Sequence, residues 1–175
     1  MEKNLYSAYE TERTLLRVLT LDYSKEVFEL FSDPTITEYM DIEPCKDLKE
    51  AEDIIQFHLD DEGFRWGIFD KNDETFIGTC GFHYLRKTDQ GIVAEIGYDL
   101  NKNYWGRGIM SEVAESLLEF GFKEMSLAAI DATVEPNNRK SIRLLERLGF
   151  TKMDVLMDGL TYYKISLSEF KNNSK

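Results

Sequence analysis

Cysteine and histidine are scarce in this 175-residue chain, which has two of each. Cys45 and Cys80 lie far apart without a CxxC partner, and His58 and His83 are too few to complete a metal site around them. That count argues against a disulfide framework and against a zinc-type centre, and leaves two reduced thiols of the kind a cytoplasm maintains. Long apolar runs are missing as well. No stretch reaches the roughly 18 apolar residues of a membrane span, and "MEKNLYSAYETERTLL" lacks the apolar centre of a signal peptide. The expectation is a soluble, cytoplasmic protein without a metal.

Positive charge is in short supply, with 21 Lys and Arg against 33 Asp and Glu and a formal net charge of −12. Such a field repels phosphate backbones and anionic lipid, so neither nucleic acid nor membrane is an expected partner. It favours approach of a cationic ligand such as an amine. Low-complexity sequence is absent too, and a composition of 42% hydrophobic and 13% aromatic residues, spread over the whole length, supplies one full core. One domain over residues 1–175 is expected, with only the tail "KNNSK", residues 171–175, frayed.

Apolar periodicity orders the chain. "RTLLRVLT", residues 13–20, reads as a strand, with Asp22 and Ser24 as caps for a helix carrying Val27, Phe28, Leu30 and Phe31. Residues 32–47 hold two prolines and several turn formers, and read as a long loop before a helix over 48–59. Strands over 65–70, 75–85 and 92–100, joined by short turns, make an antiparallel meander. A long helix after Gly108, a strand over 128–134, a helix in "NRKSIRLLERLGF" and two closing strands complete the order β-α-α-β-β-β-α-β-α-β-β. That order predicts an α/β fold, a mixed and mostly antiparallel central sheet with helices on both faces.

In "AEIGYDL", residues 94–100, alternation puts Ala94, Ile96, Tyr98 and Leu100 on one face and Glu95, Gly97 and Asp99 on the other. The second face is either a pair of solvated carboxylates or a notch in which Gly97 permits a bulge or the close approach of a ligand. "NYWGRGIMSEV" then sets Gly106 and Gly108 directly before a helix. The first turn of a helix has unpaired N–H groups and a partial positive charge, and glycine lets a phosphate reach the amides through Met110 and Ser111. Ile109, Val113, Leu117 and Phe120, flanked by Met110, Ala114 and Leu118, form the apolar side that fixes those donors on the sheet. Neither GxxxxGK[ST] nor a GxGxxG followed by a distant acidic residue occurs, so a phosphate-bearing cofactor of another kind is needed.

In "TVEPNNRKSIRLLERLGF", residues 133–150, Pro136, Asn137 and Asn138 end a strand and open a helix on which Ser141, Leu144, Leu145 and Leu148 share a side. Gly149 is a natural stop. Taken alone, Asn138 reads as a helix cap and Ser141 as a surface hydroxyl.

The four stretches "TERTLLRVLT", "AEIGYDL", "YWGRGIMSEV" and "NNRKSIRLLERLGF" resemble the GNAT N-acetyltransferases over nearly the whole chain, and within them the Rim-type branch of ribosomal-protein N-terminal acetyltransferases. The family's phosphate signature, Gln/Arg-x-x-Gly-x-Gly/Ala, falls on Trp105, Gly106, Arg107, Gly108, Ile109 and Met110. Trp105 replaces Gln or Arg, as is usual in that branch, and Met110 replaces the small last residue. The resemblance implies a GNAT fold that moves an acetyl group from acetyl-CoA to a primary amine by direct attack. It implies that these six residues hold the pyrophosphate, that Tyr98 and Leu100 offer backbone groups to the pantetheine arm, and that Asn138 lies near the amide linkages of that arm. It also places Ser141 at the departing thiolate.

Direct attack needs a base for the amine and a donor for the developing oxyanion. Glu95 is the candidate base and acceptor contact, and an N–H near Gly97 or Tyr98 the candidate donor. The glutamate and helix tyrosine of some Rim-type relatives are not matched, because Thr133 and Leu145 stand in those places. Tyr39, Met40, Asp41 and Glu43, with the hairpin at Asp158 and Gly159, are the candidate acceptor pocket. The acceptor is expected to be a protein N-terminus, such as that of a ribosomal protein, or a small cationic amine, and relatives of this kind are often homodimers. A catalytically silent CoA-binding sensor or interaction module on the same fold is the alternative.

Overall fold

The computed structural model describes residues 8–175; residues 1–7, part of the segment read for a leader, lie outside the described residues. A hairpin of β1 (Ala8–Glu10) and β2 (Thr14–Val18) leads into α1 (Ser24–Phe31), α2 (Pro34–Thr37) and α3 (Leu48–Asp60). β3 (Phe64–Asp70), β4 (Phe76–Thr88) and β5 (Gly91–Leu100) form the meander. α4 (Ile109–Lys123), β6 (Ala129–Val134), α5 (Arg139–Arg147), β7 (Thr151–Met157), β8 (Leu160–Ser166) and α6 (Leu167–Asn173) follow. The strands make one eight-stranded sheet in the order β1-β2-β3-β4-β5-β6-β8-β7, antiparallel throughout except for β5 beside β6.

Three elements exceed the sequence reading, and each is short. β1 is a three-residue partner of β2, too brief to carry a period. α2 is a single turn built on Asp33, whose side chain accepts the Thr35 N–H, and on Pro34 in the first turn. α6 begins with a reciprocal capping box between Ser166 and Glu169, which carries the helix through Asn173 into the tail expected to fray. α1 is not capped by Asp22 or Ser24. A 3-10 turn over Leu21–Tyr23 feeds it instead, and the Ser24 hydroxyl donates back to the Leu21 carbonyl.

Two apolar layers sandwich the sheet. On one face α4 and α5 bury Val113, Leu117, Phe120, Leu144 and Leu145 against Trp66, Phe82, Ala94, Ile96 and Ile130. Phe120 meets Trp66 edge to face, with ring centroids 5.0 Å apart. On the other face α1 and α3 close a second cluster of Val27, Leu30, Phe31, Ala51 and Ile55 with Leu19.

β5 and β6 pair only at Val93 with Ala129, Ala94 with Ile130, and Glu95 with Asp131. Beyond that point β5 stays in register with β4 as far as Leu100, and β6 with β8 as far as Val134. The two parallel strands therefore part after Glu95 and Asp131. Their carboxyl ends lead directly to the starts of α4 and α5.

Candidate active site

Gly106 and Gly108 adopt left-handed backbone, with φ of +73° and +74°, on either side of Arg107, and Gly108 is the N-cap of α4 with no side chain capping it. The first-turn N–H groups of α4 are thus left for a ligand. A Cβ at Gly106 would meet no heavy atom within 4 Å, and one at Gly108 only Arg13 Nη2 at 3.7 Å, so the concavity has room for a phosphate. The loop is pinned from both sides. Trp105 Nε1 donates to the Leu100 carbonyl at 2.8 Å, and Lys140 of α5 stands 3.4 Å above the Trp105 ring. Arg13 donates to the Arg107 carbonyl at 2.9 Å and pairs with Glu112 of α4 at 2.7 Å, while Thr11 donates to the same carboxylate at 2.6 Å. In a chain of net charge −12, Arg13, Arg107 and Lys140 gather at the seat best suited to an anion.

On the α3 face of the sheet, at the parting of β5 and β6, Glu95 accepts from Thr133 Oγ1 at 2.9 Å and lies 3.5 Å from His83 Nε2. Burial pushes its carboxyl up, but His83, then Thr133 and Arg86, outweigh that and hold it below the ordinary carboxylate value. Glu95 is therefore ionised at neutral pH. Beside it, Asp131 accepts from Arg86 and from the Tyr162 hydroxyl.

The rest of that strand face departs from both sequence readings. Asp99 is 6% exposed and accepts from Arg65 at 2.9 Å and from the Thr79 backbone and hydroxyl, so it is a buried ion pair rather than a solvated carboxylate. Gly97 makes no bulge, because the β4 to β5 register passes through it without a shift. A Cβ there would lie 2.5 Å from Arg65 Nη1 and 2.9 Å from His83 Cε1, so its space is taken by the protein's own side chains on that face.

The opposite face of the same opening holds hydroxyls. Tyr98 Oη and Ser141 Oγ are 2.6 Å apart, a contact from β5 to α5 across the divide. Asn138 is the N-cap of α5, and its Oδ1 accepts the Ser141 N–H at 3.2 Å, which leaves its Nδ2 as the group able to donate outward. Burial pushes the Tyr98 phenol up to about 12, so it keeps its proton.

An acetyltransferase (GNAT) domain model matches residues 13–151. The chain belongs to the GNAT acetyltransferase family. It is accordingly an acetyl-CoA-dependent N-acyltransferase, and two relatives and one solved structure show the extent of the similarity. An uncharacterized N-acetyltransferase, p20, of Bacillus licheniformis is 40% identical over 152 residues, 85% of this chain and 84% of that one. The ribosomal protein uS5-alanine N-acetyltransferase of Escherichia coli is 28% identical over 107 residues, 61% of this chain and 55% of that one, in keeping with the Rim-type branch. A GNAT-family acetyltransferase from Bacillus anthracis superposes with a TM-score of 0.76 at 25% identity, covering 91% of this chain and 98% of that one.

In this GNAT the signature residues Trp105 to Met110 occupy the pinned loop and the first turn of α4, with Ile109 buried and Met110 half-buried. The Leu100 carbonyl is already taken by Trp105. Leu145 is fully buried in the core and Thr133 serves Glu95. The loop residues are more scattered: Met40 packs on the α1 and α3 cluster, and Tyr39, Asp41 and Glu43 are exposed. Asp33, at the head of that loop, pairs with Lys102 at 2.9 Å just after β5. Sequence reasoning passed over Thr11, Arg13, His83 and Asp131. His83 stands opposite Glu95 in the meander register, a signal obscured by the β4 bulge between His83 and Arg86. Among the described residues no group of three His, Cys, Asp or Glu side chains is placed to hold a metal, and no helix is long and apolar enough to cross a membrane.

Proposed function

We propose that this GNAT, working as one domain in the cytoplasm, transfers the acetyl group of acetyl-CoA directly to a primary amine. Glu95 takes the amine proton and Ser141 serves the departing sulfur. The observation that carries the reading is the placement of Glu95 and Ser141 on opposite faces of the sheet at the one place where β5 and β6 part. An amine arriving from the α3 side meets a carboxylate, while a thiol leaving on the α5 side meets a hydroxyl.

Gly106 through Met110 hold the pyrophosphate through the backbone N–H groups of the loop and of α4, with Arg107 and Arg13 adding charge and Trp105 fixing the loop. Asn138, through Nδ2, and the backbone of Tyr98 guide the pantetheine arm, while the Leu100 carbonyl, held by Trp105, fixes the loop beside it. Glu95 is held at low basicity, and this suits its task. The cationic amine first gives up one proton to water; once the neutral nitrogen has bonded to the carbonyl carbon it is far more acidic than a free ammonium, so a weak, ionised carboxylate suffices to accept the second proton.

For the acceptor we infer a protein N-terminus or a small cationic amine, entering beside Glu95, Tyr39 and Met40. The acidic balance of the chain and the activity of the uS5-alanine relative support this. Purified protein given acetyl-CoA with, in parallel, an alanine-initiated peptide and spermine tests the reading. CoA release above the acceptor-free rate with either acceptor is expected. CoA binding without release across a wider amine panel would leave a binding module instead.

A further inference from the structure

The side chain of Tyr98, and not its backbone alone, reaches the opening. Its Oη stands 2.6 Å from Ser141 Oγ, and both groups are partly buried at the opening between β5 and β6. Two hydroxyls this close share one proton between them, so one donates and the other has its own proton to spare.

Acidity decides which one donates. A phenol is a much stronger acid than an aliphatic alcohol, so the stronger bond forms with Tyr98 as donor and the serine oxygen as acceptor. The serine is otherwise fixed by its place in the fold. Its N–H is bonded to Asn138 Oδ1, which sets its position in the first turn of α5, and the Tyr98 bond then sets the hydroxyl rotor. With an acceptor lone pair occupied by the phenol, the Ser141 proton is directed elsewhere. Burial keeps the phenol protonated throughout the physiological range, so it acts by donating a hydrogen bond and not by losing its proton.

We propose that Tyr98 is the positioning residue for Ser141: by donating to Ser141 Oγ it turns the serine proton into the opening, towards the sulfur that departs as the new amide forms. This rests on the acetyl-transfer reading above and assigns a side-chain role beyond it. In the step itself the N–C bond forms, the C–S bond breaks and the electron pair goes to sulfur. Ser141 keeps its proton and donates a hydrogen bond to that sulfur, and the bond from Tyr98 polarises the serine hydroxyl so that it donates more strongly.

Neutron diffraction from deuterium-exchanged, substrate-free protein tests the direction of the bond without any turnover. Deuterium on Tyr98 Oη pointing to Ser141, with the serine deuterium turned away, is expected; a serine deuterium pointing to Tyr98 overturns the proposal. Kinetics test the role. Tyr98→Phe, which keeps the ring, should lower kcat about tenfold with KM for acetyl-CoA within about twofold of wild type. Adding Tyr98→Phe to Ser141→Ala should cost nothing further, because the two act as one unit. A Tyr98→Phe protein with wild-type kcat, or a double variant slowed additively, overturns the role of Tyr98 alone. Wild-type protein that turns over no amine overturns the acetyl-transfer reading itself, and the role with it.

Discussion

Thr133 Oγ1 donates to Glu95 Oε1 across 2.9 Å, and this bond links β5 to β6 where their backbone pairing has just ended. With His83 on the other flank at 3.5 Å, it keeps Glu95 both in place and ionised. Replacing Glu95 by Gln keeps the shape and removes the proposed base. We predict a fall in kcat of about 100-fold or more, the range of a lost general base, with acetyl-CoA affinity unchanged. Parallel steady-state rates and equilibrium binding check this, and a rate within threefold of wild type would remove Glu95 from the mechanism.

The pH dependence follows from the same contacts. A carboxylate whose folded pKa is lowered is ionised, and competent as a base, at every pH above that value. Glu95 therefore titrates below the ordinary glutamate value of about 4.3. His83 is the largest influence lowering it, so His83→Ala should move that titration to higher pH, and Thr133→Val should move it in the same direction by less. Carbon NMR titration of the Glu95 carboxyl in the three proteins gives the answer; coincident titrations would contradict it.

Gly108→Val places a β-branched side chain at φ +74° and in the mouth of the anion seat. The backbone strain is about 1–2 kcal/mol, and the nearest protein atom lies at 3.7 Å, so the fold should survive. Binding of CoA should weaken at least tenfold, and calorimetric titration reads it directly. Unaltered affinity would mean that the pyrophosphate sits elsewhere.

Asp99→Ala should destabilise the protein by about 3–5 kcal/mol, because it leaves Arg65, 8% exposed, as a buried charge without its partner. Urea denaturation measures this. A loss under about 0.5 kcal/mol is what a solvated carboxylate would give.

His58, on α3, is pushed down to about 3 by burial and, after that, by the nearby charges of Arg65 and His83. Between about pH 3 and 6.5 the unfolded chain binds a proton there that the folded one does not. Stability should therefore rise with pH over that window, by up to about 1.4 kcal/mol per pH unit from this group. His58→Leu should flatten the curve relative to wild type, as followed by Tm from pH 4 to 7. Parallel curves for the two proteins would show that His58 is not buried neutral.

Much of the fold is legible where periods are long. α4 shows its apolar stripe over fifteen residues, and the faces of β5 separate cleanly by alternation. β1, α2 and α6 escape because three to seven residues carry no period; what builds α2 and α6 is local capping at Asp33 and Ser166. Site residues divide along a similar line. The Gly106 to Met110 seat is contiguous, so one stretch of sequence contains it. Asp99 is different: its partners Thr79 and Arg65 lie 20 and 34 residues away, on two neighbouring strands, and only the pairing of β3, β4 and β5 turns an outward-reading carboxylate into a buried one. The notch at Gly97 closes for the same reason, since Arg65 and His83 arrive from those strands.

The central claim is that the opening between β5 and β6 passes an acetyl group directly from CoA to an amine. Mass spectrometry of acceptor and protein, run beside a free-thiol assay under single-turnover conditions, tests it most directly. One acetylated acceptor for each CoA released, with the protein itself unmodified at every time point, is the predicted result. An acetylated protein that forms before the product, or thiol release without acetylated acceptor, would contradict it.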